Sequence, residues 1–339
     1  MKTHFGTNSQ GVSTHLYTIS AGGVTAVVSD HGATLVKLLV PDPKGVVADV
    51  VLGFDHPDDY TASGTFFGAT VGRNCNRVGG AAFPLNGEVC HLDPNDNGKN
   101  NLHSGFDPYK NRLWQVVSHR EDAICFRLHS PHGDQGFPGN ADIQVTYSLD
   151  GNGSLHICYD GICDRDTVFN MTNHTYFNLA GHDHPEAAMG QLLTIYADAF
   201  TPADAESITT GQLRPVEGTP MDFCTAKPIG RDINEDYDAL VLQGGYDHNW
   251  VLSGNDCARL EDPISGRVMQ VWTDCPGVQF YAGNYLQGEV GKDGAVYPRR
   301  SGICLETQFY PNAVNHPHWP QPITKAGEKY HSETVFSFN

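Results

Sequence analysis

The feature that most constrains the fold is a two-residue alternation of apolar and polar side chains that recurs along the chain. The clearest run is DIQVTYSL at 142–149, in which isoleucine, valine, tyrosine and leucine alternate with polar residues. Alternation of this kind predicts a β-strand with one face in the core. Similar short runs predict further strands at 24–29, 35–40, 123–129, 154–159, 168–171, 192–197, 249–252, 268–272, 278–282, 303–309 and 334–338.

No stretch of a dozen residues repeats its apolar positions at helical spacing, and turn sequences such as DGNG at 150–153 separate the runs. The runs continue from one end of the chain to the other without a linker or a low-complexity break. No fixed repeat indicates a propeller or a solenoid. We therefore predict an all-β fold, a large antiparallel β-sandwich, in which residues 1–339 form a single domain.

The charge balance narrows the possible partners. The 339 residues include 21 basic and 39 acidic side chains, a formal charge of −18. This argues against binding to nucleic acid or to an anionic membrane surface, since both require a basic face. The longest apolar stretch, at 35–40, is far shorter than the roughly 20 residues that cross a bilayer.

The beginning of the chain, MKTHFGTNSQ, lacks the apolar segment of an export signal, so we expect a cytoplasmic protein. The nine cysteines contain no CxxC pair. Reduced, mostly structural thiols are therefore expected in preference to a disulfide framework or a thiolate metal site.

Polar side chains that can donate, accept or carry protons are concentrated in GRNCNR (72–77), NDNGKNNLHSG (95–105), NHTYFN (173–178) and GYDHN (245–249). The strand ICLETQF adds Glu306. If both faces of that strand were packed, desolvation would raise the pKa of Glu306 toward the range of a general base. Taken alone, Glu306 also fits a solvated outward face, and His174 also fits a structural histidine.

Metal binding deserves consideration because the chain has 17 histidines, including the close pairs His182 with His184 and His316 with His318. Both pairs lie in loop-like sequence beside proline and glycine, and no HExxH motif accompanies them. No Walker or dinucleotide fingerprint is present either. We expect neither a metal nor a cofactor.

Five motifs, taken in order, resemble the aldose 1-epimerases, the galactose mutarotase family. They lie at 76–105 (beginning NRVGGAAF), 170–182 (NMTNHTYFNLAGH), 245–252 (GYDHNWVL), 277–284 (GVQFYAGN) and 305–330 (beginning LETQFYPN). The resemblance implies a β-supersandwich fold and cofactor-free interconversion of the α and β anomers of a free hexose such as galactose or glucose. It also implies an open groove that holds a small-molecule aldose.

The resemblance also assigns roles to individual positions. The glutamate of LETQ matches the catalytic base, the histidine of NHTYFN the catalytic acid, and the histidine of LHSG a group near the ring oxygen. The other matches are contacts to sugar hydroxyls. The catalytic positions are thus Glu306 and His174, and the substrate-binding positions are Asn76, Arg77, His103, Asp247 and Gln279.

Two positions depart from the family pattern. Ser104 stands where the family usually has glycine, so it requires either ordinary backbone angles or a tolerated strain. Phe309 stands where many members have a histidine soon after the ETQ sequence. A change in substrate preference is one expected consequence.

Two other functions remain open at this stage. An epimerase of hexose 6-phosphates would need a basic cluster, for which Arg299 and Arg300 are the only adjacent pair. A non-catalytic sugar-binding module would keep the groove but usually lose the acid or the base. The sequence does not decide the preferred sugar, or between a monomer and a homodimer.

Overall fold

The protein is described by a computed structural model that covers residues 1–9 and 11–339. Within these ranges most of the regular structure is β-strand, arranged in three large sheets in which every strand pair is antiparallel. Read from edge to edge, the five-stranded sheet consists of Lys2–Thr7, Ser13–Ala21, Val24–Ser29, Thr34–Pro41 and Val47–Asp49. The prediction of an all-β sandwich is confirmed.

The nine-stranded sheet carries the alternation that the sequence shows most clearly. Along Ala141–Leu149 every second side chain is buried and the intervening ones are partly exposed. In spatial order its strands are Gln115–His119, Ala123–Ser130, Ala141–Leu149, Leu155–Cys163, Lys329–Phe338, Val268–Thr273, Asp256–Glu261, Leu192–Ile195 and Lys227–Pro228.

The six-stranded sheet positions the functional site. Its spatial order is Tyr176–Phe177, Ile303–Gln308, Gly277–Tyr281, Asp247–Val251, Ala199–Thr201 and Arg214–Pro215. Directly paired residues of antiparallel strands point to the same face. The pairs of Gln279 with Glu306 and of Asp247 with Tyr281 therefore place four polar side chains on one face. Neighbouring residues, such as Phe280 and Leu305, point into the core on the other face.

One large apolar cluster joins the sheets. It includes Val28 and Leu35 from the five-stranded sheet, Ile143 from the nine-stranded sheet and Phe280 and Leu305 from the six-stranded sheet. Burial of apolar surface on this scale is the main stabilising contribution to such a sandwich. The core thus supports the site from beneath, and the polar face of the six-stranded sheet stays free to bind a ligand.

Short elements complete the described chain. Two-stranded ribbons pair Thr70–Val71 with Thr172–Asn173, Arg77–Val78 with Asn101–Leu102, Ala82–Leu85 with Glu88–His91, Thr167–Val168 with Ile323–Thr324, and Glu289–Val290 with Val296–Tyr297. The helices are Pro57–Ala62 and Asp238–Gln243, with 3₁₀ turns at Gly79–Ala81, Tyr109–Asn111, Asp134–Gly136, Pro185–Gly190, Lys292–Gly294 and Ala313–Asn315. In the described ranges, no helix is long and apolar enough to cross a membrane.

One predicted strand is largely wrong. Of the run at 168–171 only its first residue lies in a strand, Thr167–Val168. The next two backbone N–H groups donate to loop carbonyls, Phe169 to Pro322 and Asn170 to Arg73. The apolar side chains of this run are buried, but its hydrogen bonds bind loops together instead of extending a sheet.

Candidate active site

Glu306 lies near the middle of Ile303–Gln308, a strand whose six residues are all buried. The strand therefore has no solvated face. The carboxylate lines a cavity of about 700 Å³, and its Oε2 atom has no hydrogen-bond partner in the described structure. Burial, followed by repulsion from Asp247, raises the pKa of Glu306 well above its usual value, while Arg77 opposes the rise. Such a carboxyl group can act as a base near neutral pH.

His174 lies between the short strands Thr172–Asn173 and Tyr176–Phe177 and faces the same cavity. Its Nε2 is 3.7 Å from Oε1 of Glu306. The ring stacks on Tyr176 at 5.2 Å between centroids and on Phe66 at 5.9 Å. Burial lowers the pKa of His174 to about 4. The low polarity around the pair therefore favours the uncharged forms of both groups in the empty cavity.

His103 follows the strand Asn101–Leu102, and its ring contacts the rings of Phe66 and His174. Its ring is 4.7 Å from Phe66 and 5.4 Å from His174 between centroids. The N–H of His103 donates to the carbonyl oxygen of Asn76 (3.1 Å), and the N–H of Asn76 donates to Nδ1 of His103 (3.2 Å). Because Nδ1 accepts a hydrogen bond, the neutral ring carries its proton on Nε2. His103 is thus a hydrogen-bond donor through Nε2.

Three residues around this contact have left-handed backbone conformations. Asn76, His103 and Ser104 have φ angles of 58°, 50° and 74°. The Ser104 hydroxyl accepts from the N–H of Asn74 at 2.9 Å and donates to the carbonyl of the same residue at 2.8 Å. Of the two expectations for Ser104, strain is the one observed, and the two hydrogen bonds offset it.

Arg77 and Asp247 are far apart along the chain, but both line the cavity. Nε of Arg77 donates to Asp96 at 2.8 Å, which fixes the guanidinium. Asp247 accepts from Nε2 of Gln279 at 2.7 Å, and burial raises the pKa of Asp247. Gln279 itself does not line the main cavity and lies in a small recess behind Asp247. The structure thus brings the other six predicted residues to one cavity and puts Gln279 behind it.

None of the aromatic residues that line the cavity was predicted individually from the sequence. Phe66, Tyr176, Tyr281 and Tyr285 all border the cavity, and the last two stack on each other at 6.0 Å. Aromatic side chains combined with a few polar groups are typical of pockets that bind small molecules. Two of these tyrosines lie inside the quoted motifs, but Phe66 lies in a loop with no distinctive signal.

Phe309, Arg299 and Arg300 lie outside the cavity lining. The N–H of Phe309 donates to Asn170. The two arginines bind backbone and side-chain oxygens of loops, among them the carbonyl oxygen of Gly244. Their guanidinium groups hold these loops together and do not form a basic wall.

Among the described residues, one cluster has three potential metal ligands close together: His103, His174 and Glu306, with donor atoms within 4.8 Å. His103 is a poor ligand here because Nδ1 accepts from Asn76 and Nε2 carries the proton. His182 bonds to the Tyr297 hydroxyl. The cluster is better suited to proton transfer than to ligation.

Comparisons with known proteins show the family of the chain. Residues 15–337 match the family described as aldose 1-epimerase. The chain belongs to the aldose 1-epimerase family. It is 43% identical over 315 residues to galactose mutarotase of Sus scrofa, covering 91% of this chain and 89% of that protein. It is 40% identical over 322 residues to aldose 1-epimerase of Haemophilus influenzae, covering 93% of each.

Solved structures give the same result. The crystal structure of galactose 1-epimerase from Lactobacillus acidophilus superimposes with a TM-score of 0.87 at 28% identity, over 100% of this chain and 98% of that one. An aldose epimerase homologue from C. elegans gives a TM-score of 0.89 at 30% identity, over 96% and 99%. The resemblance noted in the sequence is confirmed, and the protein is an isomerase of this epimerase family.

Proposed function

We propose that this protein is a mutarotase that interconverts the α and β anomers of free aldoses, galactose first among them, with Glu306 as base and His174 as acid. The observation that carries the proposal is the 3.7 Å separation of Nε2 of His174 and Oε1 of Glu306 on one cavity wall. The two oxygens that exchange protons are both bonded to the anomeric carbon, so their acid and base must lie close together.

The reaction needs only proton transfers. Glu306 removes the proton from the anomeric hydroxyl, the bond between the anomeric carbon and the ring oxygen breaks, and His174 gives a proton to that ring oxygen. The resulting open-chain aldehyde rotates about its bond to the next carbon. It then closes on its other face as Glu306 gives its proton to the carbonyl oxygen and His174 takes a proton back from the hydroxyl group that re-forms the ring. Each such acid or base typically contributes about 10² to 10⁴ in rate.

The reaction requires a proton to move from Glu306 to His174 before the sugar ring opens. Burial raises the pKa of Glu306 and lowers that of His174, so a proton shared by the pair rests on the carboxyl group. The reactive form has the opposite distribution, a carboxylate and an imidazolium. Sugar hydroxyls that donate to Glu306, together with the positive charge of Arg77, stabilise this form when substrate binds.

The cavity lining supports a neutral sugar as substrate. Among the described residues that line the cavity, Arg77 is the only arginine or lysine. The acidic residues of the lining are Asp59, Asp247, Glu289 and Glu306. A phosphate group would meet net negative charge there. This lining favours a free aldose over a hexose 6-phosphate, and neutral polyols are held by directional hydrogen bonds instead of charge.

Polarimetry of freshly dissolved α-galactose tests the proposal. We expect the protein to accelerate the decay of rotation, and the variants Glu306→Gln and His174→Asn to lose 10²-fold or more of that acceleration. Binding of galactose without acceleration would instead indicate a non-catalytic module. Faster reaction of galactose 6-phosphate than of galactose would favour the phosphate-specific class.

The chain offers a matched control for these variants. Glu333 and His156 form a second carboxylate–imidazole pair, with Oε1 and Nδ1 2.8 Å apart, on the nine-stranded sheet. Neither residue lines the cavity. Glu333→Gln should therefore keep the wild-type rate, and full activity in Glu306→Gln would remove the proposed base.

The acidic composition supports a protein that binds neither nucleic acid nor an anionic membrane, and the sequence favours a cytoplasmic location. Cell fractionation tests that location. Size-exclusion chromatography with light scattering distinguishes a monomer from a homodimer.

A further inference from the structure

Lys110 is a buried lysine whose ammonium group donates its hydrogen bonds, among the described residues, to backbone carbonyl oxygens. The side chain is 6% exposed. Nζ donates to the carbonyl oxygens of Tyr60 at 2.7 Å and Ser63 at 2.8 Å, with Thr61 at 3.4 Å. Burial lowers its pKa to about 8, with no contribution from a neighbouring carboxylate. Burying an ammonium group costs free energy because the charge loses its water. With no counter-ion, the hydrogen bonds to these carbonyl oxygens must offset that cost, so they tie the lysine to this segment of the chain.

That segment is the end of the helix Pro57–Ala62. The last carbonyl groups of a helix have no partner within it and interact favourably with a cation. Ser63 is the residue that caps this helix, and the helix has no basic residue in its own last turn. Lys110, from the distant 3₁₀ turn Tyr109–Asn111, supplies that cation.

From this fixed point the chain runs directly along the cavity. Residues 62–66 all border it. The run ends at Phe66, whose backbone has a left-handed φ of 59°, a strained conformation for a residue with a side chain. Nζ of Lys110 is 5.0 Å from the centre of the Phe66 ring. The same ring contacts His103 and His174.

These contacts form a continuous path from the lysine to the two histidines. We infer that Lys110 is a positioning residue, which holds segment 62–66 in place so that Phe66 keeps both imidazole rings oriented toward the substrate. The inference rests on the proposed function for its kinetic test. It adds to that function a residue that no sugar atom needs to touch.

The first test compares Lys110→Met with Lys227→Met, a change at a second buried lysine. Lys227 donates to the carbonyl oxygen of Pro220 at 2.6 Å and lies 4.0 Å from the centre of the Phe223 ring, but it differs from Lys110 in pairing with the carboxylate of Asp232 at 2.8 Å. Neither Lys227 nor Phe223 lines the cavity. We expect kcat for galactose to fall about 10- to 100-fold in Lys110→Met, since small misplacements of catalytic groups have effects of this size. Lys227→Met should lose stability while its folded fraction keeps the wild-type kcat.

Two further variants separate the parts of the path. Phe66→Leu keeps the hydrogen bonds of Lys110 and an apolar side chain, and it should lower kcat on its own. The double variant should be no slower than the slower single variant, because both act through the same contact. Multiplicative losses, or an unchanged kcat in either single variant, would overturn the inference. If Lys110→Met does not fold, Lys110→Gln, which keeps a hydrogen-bond donor but loses the charge, takes its place in the same comparisons, because Phe66 borders the cavity and Phe66→Leu alone cannot separate positioning from sugar contact.

Hydrogen exchange provides a readout that does not depend on activity. Amides of residues 62–66 should exchange faster in Lys110→Met than in Lys227→Met. An inactive wild-type protein would count against the proposed function, yet faster exchange at 62–66 would still support the positioning role. Equal exchange in the two variants would contradict it.

Discussion

Ser104 allows backbone strain and hydrogen bonding to be separated at one residue of the site. Its left-handed φ of 74° costs about 1–2 kcal/mol for an L-residue. Its hydroxyl makes two buried hydrogen bonds with the backbone of Asn74, each contributing about 1 kcal/mol. The two effects nearly cancel, which explains how serine is accommodated at a position where glycine is usual.

Substituting Ser104 by alanine and by glycine divides these terms. Ser104→Ala loses both hydrogen bonds and keeps the strain, so we expect a loss of about 2 kcal/mol in the free energy of unfolding. Ser104→Gly also loses both hydrogen bonds but relieves the strain. The greater entropy of glycine in the unfolded chain reduces the stability gained from that relief by about 0.5–1 kcal/mol. With the strain taken at its midpoint of about 1.5 kcal/mol, the expected net loss is about 1 to 1.5 kcal/mol, so glycine should be the more stable variant.

Chemical denaturation of the two variants and the wild type measures these differences. A drop in Tm of about 2–4 °C per kcal/mol gives a parallel thermal assay. The order wild type, glycine, alanine is the central expectation. Alanine as stable as glycine would refute the strain, and two variants as stable as the wild type would refute the contribution of the hydrogen bonds.

Other predictions follow from the charges around the site. Asp247→Asn should move the acidic limb of the kcat/KM pH profile to lower pH, because the negative charge that helps to raise the pKa of Glu306 is removed. Asp96→Asn should raise KM more than it lowers kcat, since it frees the guanidinium of Arg77 from its 2.8 Å partner. Glu306→Gln should be more stable than the wild type at pH 8, with the difference in Tm shrinking toward pH 4. The sign follows because a carboxyl group with a raised folded pKa binds its proton more tightly when folded, so wild-type stability falls as pH rises above the unfolded value. Polarimetric activity should be unchanged after dialysis against a chelator. A loss of activity that a divalent metal reverses would contradict this expectation.

The strands were the most predictable part of the molecule. The run at 24–29 coincides with an observed strand, and the alternation at 142–149 is extended by only one residue. Alternating burial leaves a periodic record in a sequence. The strands Ser13–Ala21 and Asp256–Glu261 were missed, since polar and charged residues interrupt that record in them.

The candidate site was predictable only in part. The motifs predicted roles for Glu306 and His174, but no local pattern states that the two side chains lie 3.7 Å apart. Phe66 and Lys110 escaped notice because their importance depends on contacts between distant segments. Gln279 was assigned to sugar contact from its motif, whereas its place behind Asp247 depends on how strands align across the sheet.

His103, His174 and Glu306 come from segments separated by 71 and 132 positions along the chain. No fragment or early folding intermediate that lacks one of these segments can hold all three side chains together. Contacts over such long separations form slowly, because the entropy of closing the loop is lost before the contact is made. During refolding, sugar turnover should therefore return after most of the circular dichroism of the sheets, which makes mutarotation a stringent reporter of the native topology.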